Sequence, residues 1–381
     1  MSKNKVRLFI CGDFCSTPSS SFISIASDLR SLIDSCNLKI CNFEGPVKSD
    51  GRKLNKIPPN IQQHPDVPDF IENMGFNVIS LANNHAFDYG DDGFLATQRA
   101  FRKAKVIGAG TFDEAYKVEI TEVNGISIGI LALTYASFGA WDLSTGKFGC
   151  AEMDHLRVNH LILETKSKVD YLFIYLHDGI EYIDIPLPEQ RERYRDFVDY
   201  GADGVFVHHP HVPQGWEVYK GRPIFYSLGN FFFNSKNTPD YKTSKRYWYN
   251  GLAVVLEIRE ENNSLKFEVY NILNDRNRKI SIDTSEKMLI HTTEICDLLK
   301  ESKLYEPKVR QETDNLWKTK YMGGMVSSLV AVGLRTNFLG CLKSVVKALL
   351  SNNSKLVYSY IRNKNHRSNV IRLLREMQKY R

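Results

Sequence analysis

The sequence predicts an α/β protein with a largely buried sheet. Two observations carry this. Near-continuous apolar runs of strand length recur along the chain, and helix-periodic segments alternate with them. A chain of 381 residues can bury a sizeable core, as one large domain with an appendage or as two domains.

The elements follow in order. VRLFIC (6–11) reads as a buried strand closed by Gly12, residues 21–36 as a helix with an apolar stripe, and LKICNF (38–43) as a second strand. A helix near 66–74 leads to NVISLA (77–82). Residues 92–104 are helical, and KVIGAG (105–110) is a short strand. ISIGILALTY (126–135), a helix within 151–166 and DYLFIYL (170–176) come next. After Pro188 a helix runs to Gly201, whose residue type suits a left-handed cap. GVFV and PIFYSL (223–228) follow, then a hairpin-like pair at 252–258 and 264–272.

Composition narrows the class. The 43% hydrophobic and 25% charged fractions are those of an ordinary globular protein. A net charge of +6 is too mild to indicate nucleic acid as a partner. Seven scattered cysteines, odd in number and without CxxC spacing, predict reduced thiols rather than a disulfide framework. The N-terminus enters a strand almost at once, without an apolar core of signal-peptide length, and no 18-residue window is continuously apolar. The expected location is therefore the cytoplasmic side. The glycine-rich GxxxxGK[ST] loop of ATP-driven enzymes is absent.

The polar residue after each apolar run predicts a site. VRLFIC is followed by Asp13, LKICNF by Glu44, NVISLA by Asn83-Asn84-His85 and DYLFIYL by His177. GVFV precedes His208-His209-Pro210-His211, and PIFYSL precedes Asn230. In open α/β sheets, sites form beyond the carboxyl ends of strands. If these strands lie side by side, two carboxylates, several imidazoles and amides converge, which is what a divalent cation needs.

The segments GD, NFEGPV, SLANNHAFDYG, HDGIEY, GADGVFVHHPHVPQGWE and PIFYSLGNFFF resemble, in order and over residues 5–260, the CapA family of poly-γ-glutamate synthesis and capsule biosynthesis. That family is similar to the calcineurin-like metallophosphoesterases. The resemblance implies a four-layer α/β/β/α sandwich, taken as residues 1–285; the composition adds a basic helical extension at 286–381. It also implies bacterial surface-polymer chemistry, with one or two divalent ions (Mn, Zn, Fe or Mg) as cofactor. It implies metal ligation by Asp13, Glu44, Asn84, His177, His209 and His211, and a role for His85 at the reacting oxygen. Asn230 belongs to the CapA pattern and is assigned to the substrate. Two departures stand out: Cys15 where the phosphoesterases have a second ligand, normally histidine, and Glu44 where they have the bridging aspartate. Both weaken the first metal position, so a dinuclear site and a single-ion site held by His177, His209, Asn84 and Glu44 both stay open.

Chemistry follows from these residues. His85 is expected as general acid, with Asp88 setting its tautomer. Glu181, four residues after His177, is a base, a ligand or a salt-bridge partner. The electrophile could be phosphorus or a carbonyl carbon. Three loops bear on recognition. Residues 46–60 carry Lys48, Arg52, Lys53 and Lys56; 134–149 carry Tyr135, Phe138 and Trp141; 234–250 carry Lys236, Lys242, Lys245, Arg246 and Trp248. From these, Arg52, Trp141 and Arg246 are the expected contacts to an anionic or glycan polymer intermediate; the alternative is a set of solvated loops. A non-catalytic binding or assembly factor is the competing function.

The basic excess lies in the tail. Residues 335–381 hold eleven Lys and Arg against Glu376, a local +10, so residues 1–334 carry −4 of the total +6. Segments 337–350 and 368–381 have helical apolar spacing interrupted by cations. They could lie on the inner face of an anionic membrane or pack on the sandwich.

Overall fold

A computed structural model describes residues 5–56, 59–141, 146–235, 238, 247–259 and 264–316. Two sheets form its centre. The first orders its strands Ser24–Ile25, Lys279–Ile282, Ser264–Asn274, Asn250–Arg259, Lys5–Ser16, Leu38–Phe43, Val78–Ser80 and Lys105–Ile107. Asn230–Asn234 pairs parallel to Lys5–Ser16 beside that path. The second sheet runs Trp216–Tyr219, Arg222–Phe225, Gly204–His208, Tyr171–His177, Ile126–Thr134 and Glu119–Val123.

Alternation along the strands assigns the layers. Val6, Leu8, Ile10, Ile40 and Val78 of the first sheet face Ile128, Ile130, Phe173, Tyr175 and Phe206 of the second, in one inter-sheet core. The other face of the first sheet, with Phe9, Cys11, Cys41 and Ile79, is covered by Leu29, Ile33, Val67, Ile71 and Phe94 from helices Ser27–Asp34, Val67–Asn73 and Gly90–Ala100. On the second sheet's outer face, Leu131, Leu172, Ile174, Val205 and Val207 meet Val158, Ile162, Tyr194 and Phe197 from helices Arg157–Lys166 and Pro188–Asp199. The result is helix, sheet, sheet, helix: the four-layer sandwich. Helices Glu286–Lys300 and Ser302–Leu316 add Ile295, Leu299, Tyr305 and Val309 to that outer core. The segments 337–350 and 368–381 lie outside the described residues.

Some elements differ from expectation. The helix expected over 21–36 is a single tight turn at Ser20–Phe22, a short strand at Ser24–Ile25, and a helix only over Ser27–Asp34. Asp66 explains the shortfall: its carboxylate takes the Ser20 N–H (3.0 Å), and strand 24–25 spends its backbone on Lys279 and Ile280. The run 105–110 breaks at Gly108, at φ +82° where a Cβ would come within 2.7 Å of Ala82 Cβ. The expected helix in 151–166 begins at Arg157. All six described cysteines are free thiols.

Register places the site. Asp13 pairs with Asn42 on one side and Asn230 on the other. In the second sheet His177 pairs with His208 and Thr134. The parallel strands of both sheets thus end at one edge, and the Tyr175 hydroxyl donates to the Cys11 carbonyl (2.6 Å) across the inter-sheet space.

Candidate metal centre

Asp13 reaches the edge because Gly12 lets two backbones touch. A Cβ at position 12 would meet the Gly229 carbonyl oxygen at 1.9 Å, and Asp13 N–H donates to that same oxygen at 3.1 Å. The strand carrying Asn230 is thereby pressed against the strand carrying Asp13. The segment after Gly204–His208 makes the opposite choice. His209 (φ +105°) and His211 (φ +61°) hold left-handed conformations that favour glycine. Strain of about 1–3 kcal/mol per residue persists where surrounding structure over-determines it, and such sites cluster at function. Here the bend around Pro210 turns both imidazoles onto the sheet edge.

Fully buried Asp13 and Glu44 are the acidic pair. Asp13 Oδ1 lies 2.7 Å from His208 Nδ1 and 3.6 Å from His177 Nδ1; Oδ2 lies 3.6 Å from His211 Nδ1 and accepts the His209 N–H at 3.1 Å. Glu44 Oε1 lies 3.7 Å from His211 Nε2 and 3.8 Å from His85 Nε2. Three overlapping donor groups follow, each with ligand atoms within 4.8 Å of one another: Asp13, His177 and His208; Glu44, His177 and His209; Asp13, Glu44 and His211. Asn84 joins them through its Oδ1, 2.9 Å from His177 Nε2.

Electrostatics fit a cation. Burial opposes the charge of Asp13, yet His208 and His177 beside it hold its carboxyl well below the usual carboxylate range. Glu44 goes the other way: burial pushes its carboxyl up, and Asp13, Glu181 and Asp88 add to the push. Neither Glu44 oxygen has a hydrogen-bond partner among the described residues. A buried carboxylate in that condition is costly unless a positive charge meets it. Burial drives His177 down to about 3 and His209 well below its ordinary value, so both rings are neutral, the form that ligates metal. The donor chemistry and the orphaned Glu44 oxygens therefore fit one or two divalent cations.

A second layer holds the donors. Asn42 Nδ2 donates to Asp13 Oδ1 (2.8 Å), Asn83 Nδ2 to Asn42 Oδ1 (3.1 Å), and the His85 N–H to Asn83 Oδ1 (3.1 Å). Asp88 Oδ2 accepts His85 Nδ1 at 2.7 Å, as its position suggested. Lys56 is the surprise: its ammonium is buried, ion-paired with Asp88 and bonded to the Asn84 carbonyl (2.9 Å). It belongs to this network, not to a substrate-facing loop.

The remaining expectations fall in different places. Glu181 lies near enough to the centre for its charge to act on Glu44, His85 and His209. Asn230, expected at the substrate, is fully buried, with Oδ1 2.9 Å from His211 Nδ1 and Nδ2 donating to the His211 and Trp248 carbonyls. It orients His211. Trp141 stands edge-on to Phe112 (5.7 Å) against the outer core of the second sheet. Arg52 is exposed. Arg246, Lys236, Lys242 and Lys245 lie outside the described residues. Cys15 is in none of the donor groups; it packs with Ile61, Phe233 and Trp248, and burial, then Glu44, raises its thiol. His208 supplies a donor beside Asp13 instead, and only its place in HHPH signalled it. Asn42 and Lys56 carried no separable signal, because a strand-end asparagine and a loop lysine are commonplace.

Four layers in the order helix, sheet, sheet, helix, with carboxylates and imidazoles gathered beyond the strand ends, define a two-sheet α/β sandwich with a candidate metal centre. Within that class the chain belongs to the bacterial capsule synthesis protein PGA_cap family, whose model matches residues 7–235. It is 35% identical over 199 residues to the PGA biosynthesis protein CapA of Bacillus subtilis strain 168, covering 51% of this chain and 52% of that protein. It is also 35% identical over 208 residues to the capsule biosynthesis protein CapA of Bacillus anthracis, covering 51% and 49%. The chain thus spans about half the length of the curated relatives it matches. Among solved structures, a putative 5'-nucleotidase from Staphylococcus aureus aligns at TM-score 0.48 and 16% identity, over 78% of this chain and 59% of that one. No helix among the described residues is long and apolar enough to cross a membrane.

Proposed function

We propose that this protein is a metal-dependent hydrolase or transferase of capsule biosynthesis. It acts on a phosphodiester, ester or amide bond of an anionic or glycan surface-polymer intermediate. The observation that carries the reading is Glu44: two buried, unpartnered oxygens amid three donor groups built from both sheets. A divalent cation held by Asp13, Glu44, His177, His208, His209 and His211 would polarise a substrate oxygen and supply a water of lowered pKa.

The chain's own residues handle the proton. Asp88 accepts from His85 Nδ1, so Nε2, the nitrogen nearer Glu44, carries the lone pair. Burial, with Lys56 adding to it and Asp88 opposing, lowers the ring's pKa. In the resting site His85 is a base. It becomes the acid expected from the sequence once it has taken a proton. Lys56 and Ile61 N–H hold Asp88 in place for that work.

We further place the protein on the cytoplasmic side, with the basic 335–381 segment against the anionic inner membrane surface; its +10 supports this. The test of function is metal analysis followed by turnover of bis-p-nitrophenyl phosphate and of capsule precursors. Bound metal with turnover that His85→Ala lowers by about 10²–10⁴-fold is expected. Polymer binding with neither metal nor turnover would make the protein an assembly factor instead.

A further inference from the structure

A second polar cavity opens on the first sheet, and the metal chemistry does not use it. It is a cleft of about 350 Å³ beyond the ends of Asn230–Asn234 and Ser264–Asn274. Phe233, Thr238, Asn274, Asp275, Arg276 and Arg278 are among the residues lining it. Its wall is shared with the metal centre: the Phe233 ring lies 4.9 Å from the His211 ring. Its floor also connects to that centre, because Asn274 Nδ2 reaches the carbonyl oxygen of Asn230 at 3.4 Å.

Three features give the cleft a chemistry. Two guanidiniums line it, and neither Arg276 nor Arg278 forms a salt bridge with a described carboxylate. The acid present, Asp275, has turned Oδ1 back onto its own turn, accepting the N–H groups of Asn277 (2.8 Å) and Lys279 (2.9 Å). Arg278 holds φ +63°, in a tight turn where glycine or asparagine would be unstrained. Its guanidinium is laid over the Phe22 ring at 5.4 Å, which limits the freedom it would lose on binding. Asn274 is buried, and its Oδ1 has no hydrogen-bond partner among the described residues. A donor on the ligand would satisfy it.

We infer that this cleft is an anion subsite. Arg276 and Arg278 grip a carboxylate or phosphate group, and Asn274 accepts from a neighbouring hydroxyl or amide N–H of the same ligand. Guanidinium forks match both oxyanions bidentately. The two possible sources are an acidic sugar or residue and a phosphoryl group. The site stands whether or not the metal centre turns over substrate.

The test uses the full chain treated with chelator, so that anions cannot report on a bound metal. Glucuronate, glucose and inorganic phosphate are titrated by calorimetry. Glucuronate or phosphate is expected to bind at least tenfold more tightly than glucose. Arg276→Gln with Arg278→Asn should weaken that binding tenfold or more. Asparagine tolerates the turn's backbone, so the variant should melt no lower than the parent. Binding of glucuronate alone would identify a carboxylate ligand, and of phosphate alone a phosphoryl ligand. Absence of binding by both anions, glucose binding as tightly, or unchanged affinity in the double variant would each overturn the assignment.

Discussion

His208 Nδ1 lies 2.7 Å from Asp13 Oδ1, and the two residues belong to different sheets. The candidate site is therefore also a clasp between the halves of the sandwich. Asp13 is fastened on its own sheet by Asn42 and reached from the other sheet by the His209 N–H as well. Any ligand gathered here bridges both layers, so cation binding and global stability are linked.

Glu44→Gln should therefore have opposite effects with and without metal. In chelated protein the substitution removes a buried acidic group crowded by Asp13, Glu181 and Asp88, and should stabilise the fold by about 1–3 kcal/mol. In metal-loaded protein it removes a ligand and should erase most of the stabilisation that the parent gains from the ion. Thermal melts of both proteins, with chelator and with Mn or Zn, read the two effects. A variant that melts lower than the parent under both conditions would contradict this account of Glu44.

Lys56→Met should cost more than a loop substitution. The Lys56 and Asp88 side chains are 4% and 1% exposed. Removing one partner leaves a buried charge uncompensated, at a cost of about 3–5 kcal/mol. The double variant Lys56→Met/Asp88→Asn should recover part of that loss, because the second change removes the orphaned charge. Urea unfolding of the four proteins of the cycle gives the coupling. Additive losses would show that the pair does not interact.

Much of this site was legible because its donors follow apolar runs, and strand ends in α/β sheets converge. Asp13, Glu44, Asn84, His177, His209 and His211 are all at the edge for that reason. The residues whose surroundings were not legible share a different cause. Asn230 follows an apolar run like the others, but its strand is wedged against Asp13 by the Gly12–Gly229 contact, so its amide is turned to His211 and Trp248. Lys56 lies in a cationic stretch with Arg52 and Lys53; burial of one lysine among several is a tertiary fact without a local pattern. The short strand Ser24–Ile25 is equally invisible, since its partner lies some 250 residues away in Lys279–Ile282.

Low pH should loosen the second sheet's outer face through Glu217. Burial works against its charge, but bonds from Arg195 (2.7 Å), Tyr226 (2.6 Å) and Arg191 (2.9 Å) lower its pKa below the ordinary glutamate value. A depressed carboxyl contributes stability that is complete above the unfolded pKa of about 4.3 and lost as pH falls through the folded value. Unfolding free energy measured from pH 6 to 2.5 should therefore decline more steeply in the parent than in Glu217→Gln. Parallel curves would assign the acid sensitivity to other groups.

Asn230→Ala should weaken metal binding without dismantling the fold. Asn230 Oδ1, 2.9 Å from His211 Nδ1, directs that ring so that Nε2 faces Glu44 at 3.7 Å. Partners of this kind set a ligand's tautomer and angle, and their loss costs about 10–100-fold in metal affinity. Asn230→Asp retains an acceptor at the same position and should keep more of the affinity than alanine does. Chelator competition measures the metal Kd of all three proteins, and circular dichroism checks that the sheets persist. If alanine and aspartate bind metal as tightly as asparagine, His211 is oriented by its strained backbone alone. His211→Ala should then be the weaker binder, because the ring itself, and not its hydrogen bond, would be what the site requires.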